Sequence, residues 1–497
     1  MIKRLLIANR GEIALRIIRA CRELDVETVA VFSEPDAAAP HVAAADMAVP
    51  IGPAAASASY LSAPAIVAAA RDSGADAVHP GYGFLSENAG FAGACEEAGL
   101  VFVGPPADVI ARMGSKIGAR RLMESAGVPV VPGETPTDQS DAGVRATVER
   151  VGLPALIKAS AGGGGKGMRR VRERAEIEEA IQAARREATA AFGDGTLYVE
   201  RLVEHPRHIE VQVFGDDAGR VVHLFERECS VQRRHQKVIE ESPSPALTPA
   251  LRTGIASAAV KAARAVRYRN AGTIEFLLEG SGDAGRFYFL EMNTRLQVEH
   301  PVTEQVTGVD LVRAQLLVAS GEPLPWTQES LVQRGHAIEA RVYAEDPAEG
   351  FLPQAGRILL YREPRLPGVR IDSGVVEGST VSVHYDPMLA KVIATAETRD
   401  LAIARLAAAL RDYPILGIRT TVPFLLRILE HPRFREGAID TAFLDDEGSA
   451  LAAQSEGGTP ADVQAAAAAH EESPAGVGAA ESAAARDPWQ QLRGWRP

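Results

Sequence analysis

A glutamate stands inside each of two neighbouring apolar runs, and this pairing restricts the possible fold more than any other part of the chain. Thr273–Glu279 reads TIEFLLE, and Phe287–Glu304 reads FYFLEMNTRLQVEHPVTE. Both begin as strands, and the turn-rich Gly280–Gly285 (GSGDAG) between them predicts a hairpin. Side chains two apart on a strand share a face, so Glu291 and Asn293 point the same way. A hairpin centred on Asp283 sets Glu275 opposite Glu291. Two facing carboxylates repel each other. A hard cation between them reverses that sign, and two carboxylates plus an amide suit magnesium or manganese, with phosphate oxygens completing the shell. Arg295, Gln297 and Glu299 continue the two-residue spacing, as if aimed at a small anion beside the metal. A solvated edge strand is the plainer reading, but Glu275 lies in a run that has no polar face.

Composition narrows the class of molecule. With 497 residues, 46% hydrophobic and 24% charged, the chain has ordinary globular make-up and room for roughly two to four domains. A net charge of −12 argues against a nucleic-acid binder, which would carry a basic domain or stripe. Cys21, Cys95 and Cys229 lie far apart without a CxxC, as expected of reduced thiols in a cytoplasmic protein. The opening MIKRLLIANRGE has too short an apolar run for a secretory core. No apolar run approaches the roughly 20 residues needed to cross a bilayer, so no membrane association is expected.

Lys3–Ala8, a helical Ile13–Leu24 and Thr28–Phe32 form a βαβ opening with no G-x-G-x-x-G after its first strand, which disfavours a dinucleotide pocket. His79–Asn88 (HPGYGFLSEN), carrying Tyr82, is a glycine-punctuated loop at a strand's carboxyl end, where open α/β sheets hold ligands. Expected domains are an N-terminal α/β domain over 1–113 and a central domain over 114–330, with 131–203 as a mobile lid. A C-terminal β-rich domain over 331–445 and a disordered Ala-rich tail over 446–497 follow. In that tail Trp489, Leu492 and Trp495 recur three apart, as on one face of a docking peptide.

Gly162–Gly167 (GGGGKG) lies between two strands, and Lys166 is followed by glycine, so it is not a P-loop. A glycine hairpin tip built from Gly163, Gly164, Gly165 and Gly167 lets main-chain N–H groups reach phosphate oxygens, with Lys158 adding a charge. Cys229–Lys237 (CSVQRRHQK) packs Arg233, Arg234, His235 and Lys237 together in an acidic protein, which points to a pocket rim holding an anion.

The segments HPGYGFLSEN, KASAGGGGKGM, CSVQRRHQK, EMNTRLQVEHPVTE and AIEARVYAEDP, in unbroken order over about residues 1–445, together resemble biotin carboxylase, the ATP-grasp component of biotin-dependent carboxylases. The resemblance implies a multidomain α/β and α+β chain with a Rossmann-like N-terminal domain, an ATP-grasp centre and a β-rich C-terminal domain, and it implies a homodimer. It implies that Lys116 and Lys158 bind ATP phosphates under the glycine tip with Lys166, and that Glu200 meets adenine beside the main chain of Arg201 and Val203. It places His208, Gln232 and His235 near ribose and phosphates. Glu275, Glu291 and Asn293 would hold two Mg²⁺ or Mn²⁺ ions. Lys237, Arg295, Gln297 and the Val298 amide would cradle bicarbonate, with Tyr82 lining the bicarbonate and biotin pocket. Glu299 would be the general base, and Arg341 would stabilise the enolate of biotin. Arg201 stands where the family carries lysine, and a short insertion surrounds Gly280–Gly285.

By the same resemblance, bicarbonate attacks the γ-phosphate to give carboxyphosphate, whose breakdown supplies CO₂ to biotin. The chain contains no Met-Lys dipeptide, so biotin is expected on a separate biotin carboxyl carrier protein, with carboxyltransferase subunits handling the acceptor. Acetyl-CoA carboxylase is the default assembly, and propionyl-CoA, methylcrotonyl-CoA and pyruvate complexes stay open. Two alternatives are another ATP-grasp ligase of acyl-phosphate chemistry and a non-catalytic carboxylase subunit.

Overall fold

Five short strands open the chain: β1 (Arg4–Ile7), β2 (Glu27–Ser33), β3 (Met47–Gly52), β4 (Ala77–His79) and β5 (Val101–Phe102). They pair in parallel in the order β3-β2-β1-β4-β5. Both faces are covered, so the successive buried residues Leu5, Leu6 and Ile7 of β1 are all apolar. Leu5 and Ile7 pack with Ile13 and Ile17 of the Gly11–Glu23 helix, whereas Leu6 packs with Ile66 and Phe91 on the other side. The HPGYGFLSEN loop leaves the carboxyl end of β4. The computed structural model describes residues 1–160 and 167–453. Gly163, Gly164, Gly165 and Lys166 of the tip, and Trp489, Leu492 and Trp495 of the tail, lie outside the described residues.

A small sheet follows: β6 (Gly133–Glu134), β7 (Ala155–Ala159), β8 (Arg169–Val171) and β9 (Leu197–Arg201), ordered β6-β9-β7-β8. Val144, Val148 and Ile181 from its two helices close a private core over Ile157, Val171 and Val199. Gly167 has φ +71°, and a Cβ there would lie 2.8 Å from that of Ala159, so the base of the tip requires glycine.

The largest element is an antiparallel sheet of eight strands. β10 (Arg207–Gly215), β11 (Val221–Arg233), β12 (Gln236–Ser242), β13 (Asn270–Glu279), β14 (Arg286–Asn293) and β15 (His336–Tyr343) are joined by Met388–Ala396 and Val369–Ser373. The order is β14-β13-β10-β11-β12-β15, then Met388–Ala396, then Val369–Ser373. Strands before and after residue 331 therefore share one ladder, and β12 bonds β15 directly. The helices Arg399–Arg411 and Val422–Glu430 pack Leu406, Leu410, Phe424 and Ile428 against Ile338, Val342 and Val392. The last helix, Phe443–Ala452, runs past Asp446 into the stretch read as tail, because Leu451 and Ala452 are buried in this same core.

A buried ionic cluster braces Val369–Ser373 against the first helix. Asp372 is fully buried and accepts from Arg370 at 2.7 Å and from Arg19 at 2.7 Å, while Arg370 also reaches Glu304 at 2.6 Å. Burial alone pushes the Asp372 carboxyl up, but Arg370 and then Lys391 outweigh it and hold it well below the ordinary range. A depressed folded value stabilises above the unfolded carboxylate pKa, about 3.9, and that stability is lost as pH falls through the folded value. Asp372→Asn is therefore expected to lower the thermal midpoint at pH 7, with the gap to wild type closing only below about pH 4. A gap unchanged between pH 7 and pH 3 would assign the effect to packing instead.

Candidate active site

The hairpin expected from the sequence forms. β13 and β14 are antiparallel with Glu275 opposite Glu291, and the Asn293 amide donates to Glu275 Oε1 at 2.8 Å. The strand ends at Asn293, so Arg295, Gln297 and Glu299 do not continue its alternation. They occupy an irregular segment ahead of the His300–Thr307 helix, and hydrogen bonds rather than strand periodicity bring them to one place. Arg295 donates to Gln297 Oε1 at 2.7 Å, and Gln297 donates to Glu275 Oε1 at 3.4 Å.

Lys237, on β12, is the hub. Its ammonium donates to Glu210 at 2.5 Å, Glu275 at 2.9 Å and Glu299 at 2.6 Å. The other oxygen of Glu299 accepts from Arg341 of β15 at 2.9 Å, and Arg341 donates its Nε to Glu240 at 2.6 Å. Burial opposes the charge of Lys237, but Glu210, Glu275 and Glu299 together raise its pKa well above the ordinary value. Burial likewise pushes Glu299 up, and Lys237 and then Arg341 overcome it and hold the carboxylate far below its usual range. Glu299 is thus held as a carboxylate gripped by two cations.

On β10, His208 reaches Glu275 Oε2 at 3.0 Å. Its ring, Glu210 and Glu275 bring ligand atoms within 4.8 Å of one another. Lys237 and Arg227 already neutralise that cluster, with Arg227 donating to Glu210 at 2.5 Å. The oxygen-only set Glu275, Glu291 and Asn293 fits a magnesium or manganese ion better. Burial and then Glu275 push the Glu291 carboxyl up, against Lys116.

Glu200 accepts from Arg120 at 2.8 Å and from Lys158 at 3.0 Å. Burial lowers the pKa of Lys116, and Lys158 is its next influence, ahead of Glu291 and Glu200. Lys116 thus lies within electrostatic reach of both Glu291 and Glu200. The Arg201 side chain turns aside into a two-pronged pair with Glu279 at 2.7 and 2.8 Å, and its amide donates to Pro132. Val203 is buried just beyond β9. Gln232 is buried and pairs with Lys237 across the β11–β12 ladder. The Tyr82 hydroxyl bonds Glu12, within electrostatic reach of Arg341. The Val298 carbonyl accepts from Lys391 at 2.8 Å.

β11 runs on through Arg233, and Arg234 and His235 form a tight turn with φ 49° and 67° before β12. Arg233 lies over the Phe351 ring at 3.9 Å and pairs with Glu345 at 3.6 Å. Sequence reasoning missed Glu210, Arg227, Glu240 and Glu87, the last an acceptor for Arg295 at 2.9 Å. Glu210 carried the same signal as Glu275, an acid inside the apolar strand HIEVQVF.

Residues 1–110 match the family model "Biotin carboxylase, N-terminal domain", 115–327 match "Carbamoyl-phosphate synthase L chain, ATP binding domain", and 339–446 match "Biotin carboxylase C-terminal domain". Biotin carboxylase of Halalkalibacterium halodurans is 52% identical over 444 residues, covering 89% of this chain and 97% of that one. The chain belongs to the biotin carboxylase family. Subunit alpha of mitochondrial methylcrotonoyl-CoA carboxylase from Mus musculus is 50% identical over 89% of this chain, which spans 62% of that protein. Among solved structures, the biotin carboxylase domain dimer of 2-oxoglutarate carboxylase from Hydrogenobacter thermophilus, in complex with MgADP, ADP and bicarbonate, has a TM-score of 0.86 at 44% identity. The match covers 92% of this chain and all of that domain. The fold is that of the biotin carboxylases, an ATP-grasp centre between an N-terminal parallel sheet and C-terminal strands. Among the described residues, no helix is long and apolar enough to cross a membrane.

Proposed function

We propose that this chain carboxylates biotin with bicarbonate at the expense of ATP, the ADP-forming first half-reaction of an acyl-CoA carboxylase. The observation that carries this is the fully buried Glu299 held between Lys237 and Arg341, next to the facing acids Glu275 and Glu291. Glu200, Lys158 and Lys116 mark the nucleotide side, with Arg201 and Val203 flanking adenine and His208, Gln232 and His235 flanking ribose and phosphates. A divalent ion held by Glu275, Glu291 and Asn293 offsets charge on the transferred phosphoryl group when bound.

Arg295, Gln297 and the Val298 amide hold bicarbonate, and its negative charge takes over the Lys237 and Arg341 contacts that quench Glu299. Glu299 then accepts the bicarbonate proton while the freed oxygen attacks the γ-phosphorus and the bond to ADP breaks. Carboxyphosphate splits into CO₂ and phosphate; the phosphate removes the N1′ proton of biotin, and N1′ bonds to CO₂. Arg341 faces the negative oxygen that develops on biotin, and the lid over 131–203 excludes water that would hydrolyse the intermediate.

The biotin arrives on a carrier protein, carboxyltransferase subunits take the product, and the enzyme works as a cytoplasmic homodimer. ADP release is expected to depend on bicarbonate and to rise when free biotin is added. Release that ignores biotin would favour another ATP-grasp ligase, and no bicarbonate-dependent release would favour a non-catalytic subunit.

A further inference from the structure

The two strands that supply Lys237 and Arg341 also bring a second pair of acids together. Glu240 of β12 and Glu339 of β15 are directly opposed in the antiparallel register, which sets their Cβ atoms about 5 Å apart on one face of the sheet. Arg341, two residues beyond Glu339, shares that face. Both acids are fully buried. Glu240 Oε1 accepts from Arg341, yet its Oε2 has no hydrogen-bond partner, and neither oxygen of Glu339 has one. The charged groups around the pair are Arg341, Glu299, Lys237 and, on the next strand, Lys391. Lys391, the cation that pulls hardest on Glu339, is spent on the Val298 carbonyl at 2.8 Å and on Glu12 at 3.1 Å.

Three buried acceptor oxygens without a donor are costly, and a second negative charge beside Glu240 would add repulsion. One proton removes the repulsion and gives two of the three oxygens a hydrogen bond. A neutral carboxyl is a donor as well as an acceptor, and its O–H reaches an opposed carboxylate across a ladder. We propose that Glu339 is a positioning residue for the carboxylation reaction: kept as a neutral acid, it donates its O–H to Oε2 of Glu240, so that Glu240 offers Arg341 one fixed oxygen and aims the guanidinium at Glu299 and the biotin oxygen. The electrostatics agree. Burial raises the Glu339 carboxyl well above its ordinary range against the pull of Lys391, and pushes Glu240 up to about 7. This role rests on the function proposed above.

The test compares Glu339→Met, which keeps the length but loses the donor, with Glu339→Gln, a neutral isostere that still donates. Glu339→Met should lose about 10²-fold in kcat with biotin at unchanged KM for ATP, and Glu339→Gln should restore most of that loss. Equal losses in both would show that the anion is needed, and no loss in either would show that Arg341 needs no such support; each overturns the proposal. A Glu339→Gln protein that fails to fold overturns it too, since the amide brings a donor and no charge. A readout independent of turnover separates this from the functional reading. In the full chain at pH 8, the infrared carbonyl band of protonated carboxylic acids should lose intensity on Glu339→Gln. An unchanged band overturns the proposal, whatever reaction the enzyme catalyses.

Discussion

Glu299→Gln is expected to keep ATP binding and to lose biotin carboxylation by about 10²–10⁴-fold, the range a positioned base contributes. The amide fits the same space and can still accept from one cation, so the fold should survive. It cannot take the proton from bicarbonate. KM for ATP should stay near wild type, because Glu200, Lys158 and Lys116 form their own set of contacts beyond Glu291. Steady-state ADP release at saturating bicarbonate and biotin measures the loss. Near-normal turnover would falsify the base assignment, and a rise in KM for ATP without loss of kcat would move Glu299 to the nucleotide. The wild-type pH profile carries a second signature. Since Lys237 and Arg341 hold Glu299 below the usual carboxylate range, no acid limb of kcat/KM from this group should appear near pH 4.5.

Lys237→Met should be the most destabilising single change in the site. It takes from Glu210, Glu275 and Glu299 the cation that all three share, and removing one partner of a buried ionic group costs about 3–5 kcal/mol. Arg227, His208 and Arg341 each still reach one of the acids, which places the change toward the lower end. The sign with pH is informative. Without Lys237 the carboxylates regain protons more readily, so the deficit in denaturation midpoint should shrink as the pH is lowered from 7 to 5. A deficit that stays constant with pH would mean that packing of the lysine stem, and not its charge, was lost.

The hairpin of β13 and β14 was legible because two signals coincided: acids in apolar strands and a glycine-rich turn of the right length. Periodicity stopped being a guide at Asn293, where the chain leaves the sheet. Beyond it, the convergence of Arg295, Gln297 and Glu299 depends on partners from β12, β15 and the Glu87 loop. Such long-range pairing leaves no local trace. Glu240 shows the limit well. In the sequence it is one of two acids ahead of a proline-rich loop. Only the β12–β15 register reveals that it faces Glu339 while Glu241, pointing the other way, binds Arg399 at 2.7 Å. The basic run at Arg233–Lys237 divides for a related reason: a tight turn sends neighbours to different destinations, so Arg233 meets an aromatic ring while Lys237 enters the acid cluster.

The ladder between β12 and β15 has an evolutionary corollary. Two separately recognisable stretches of polypeptide meet in it, and neither owns a complete set of reactive groups. Gene fragments cut at those borders would each inherit part of the machinery and none of the chemistry. An active fusion must therefore carry both stretches together.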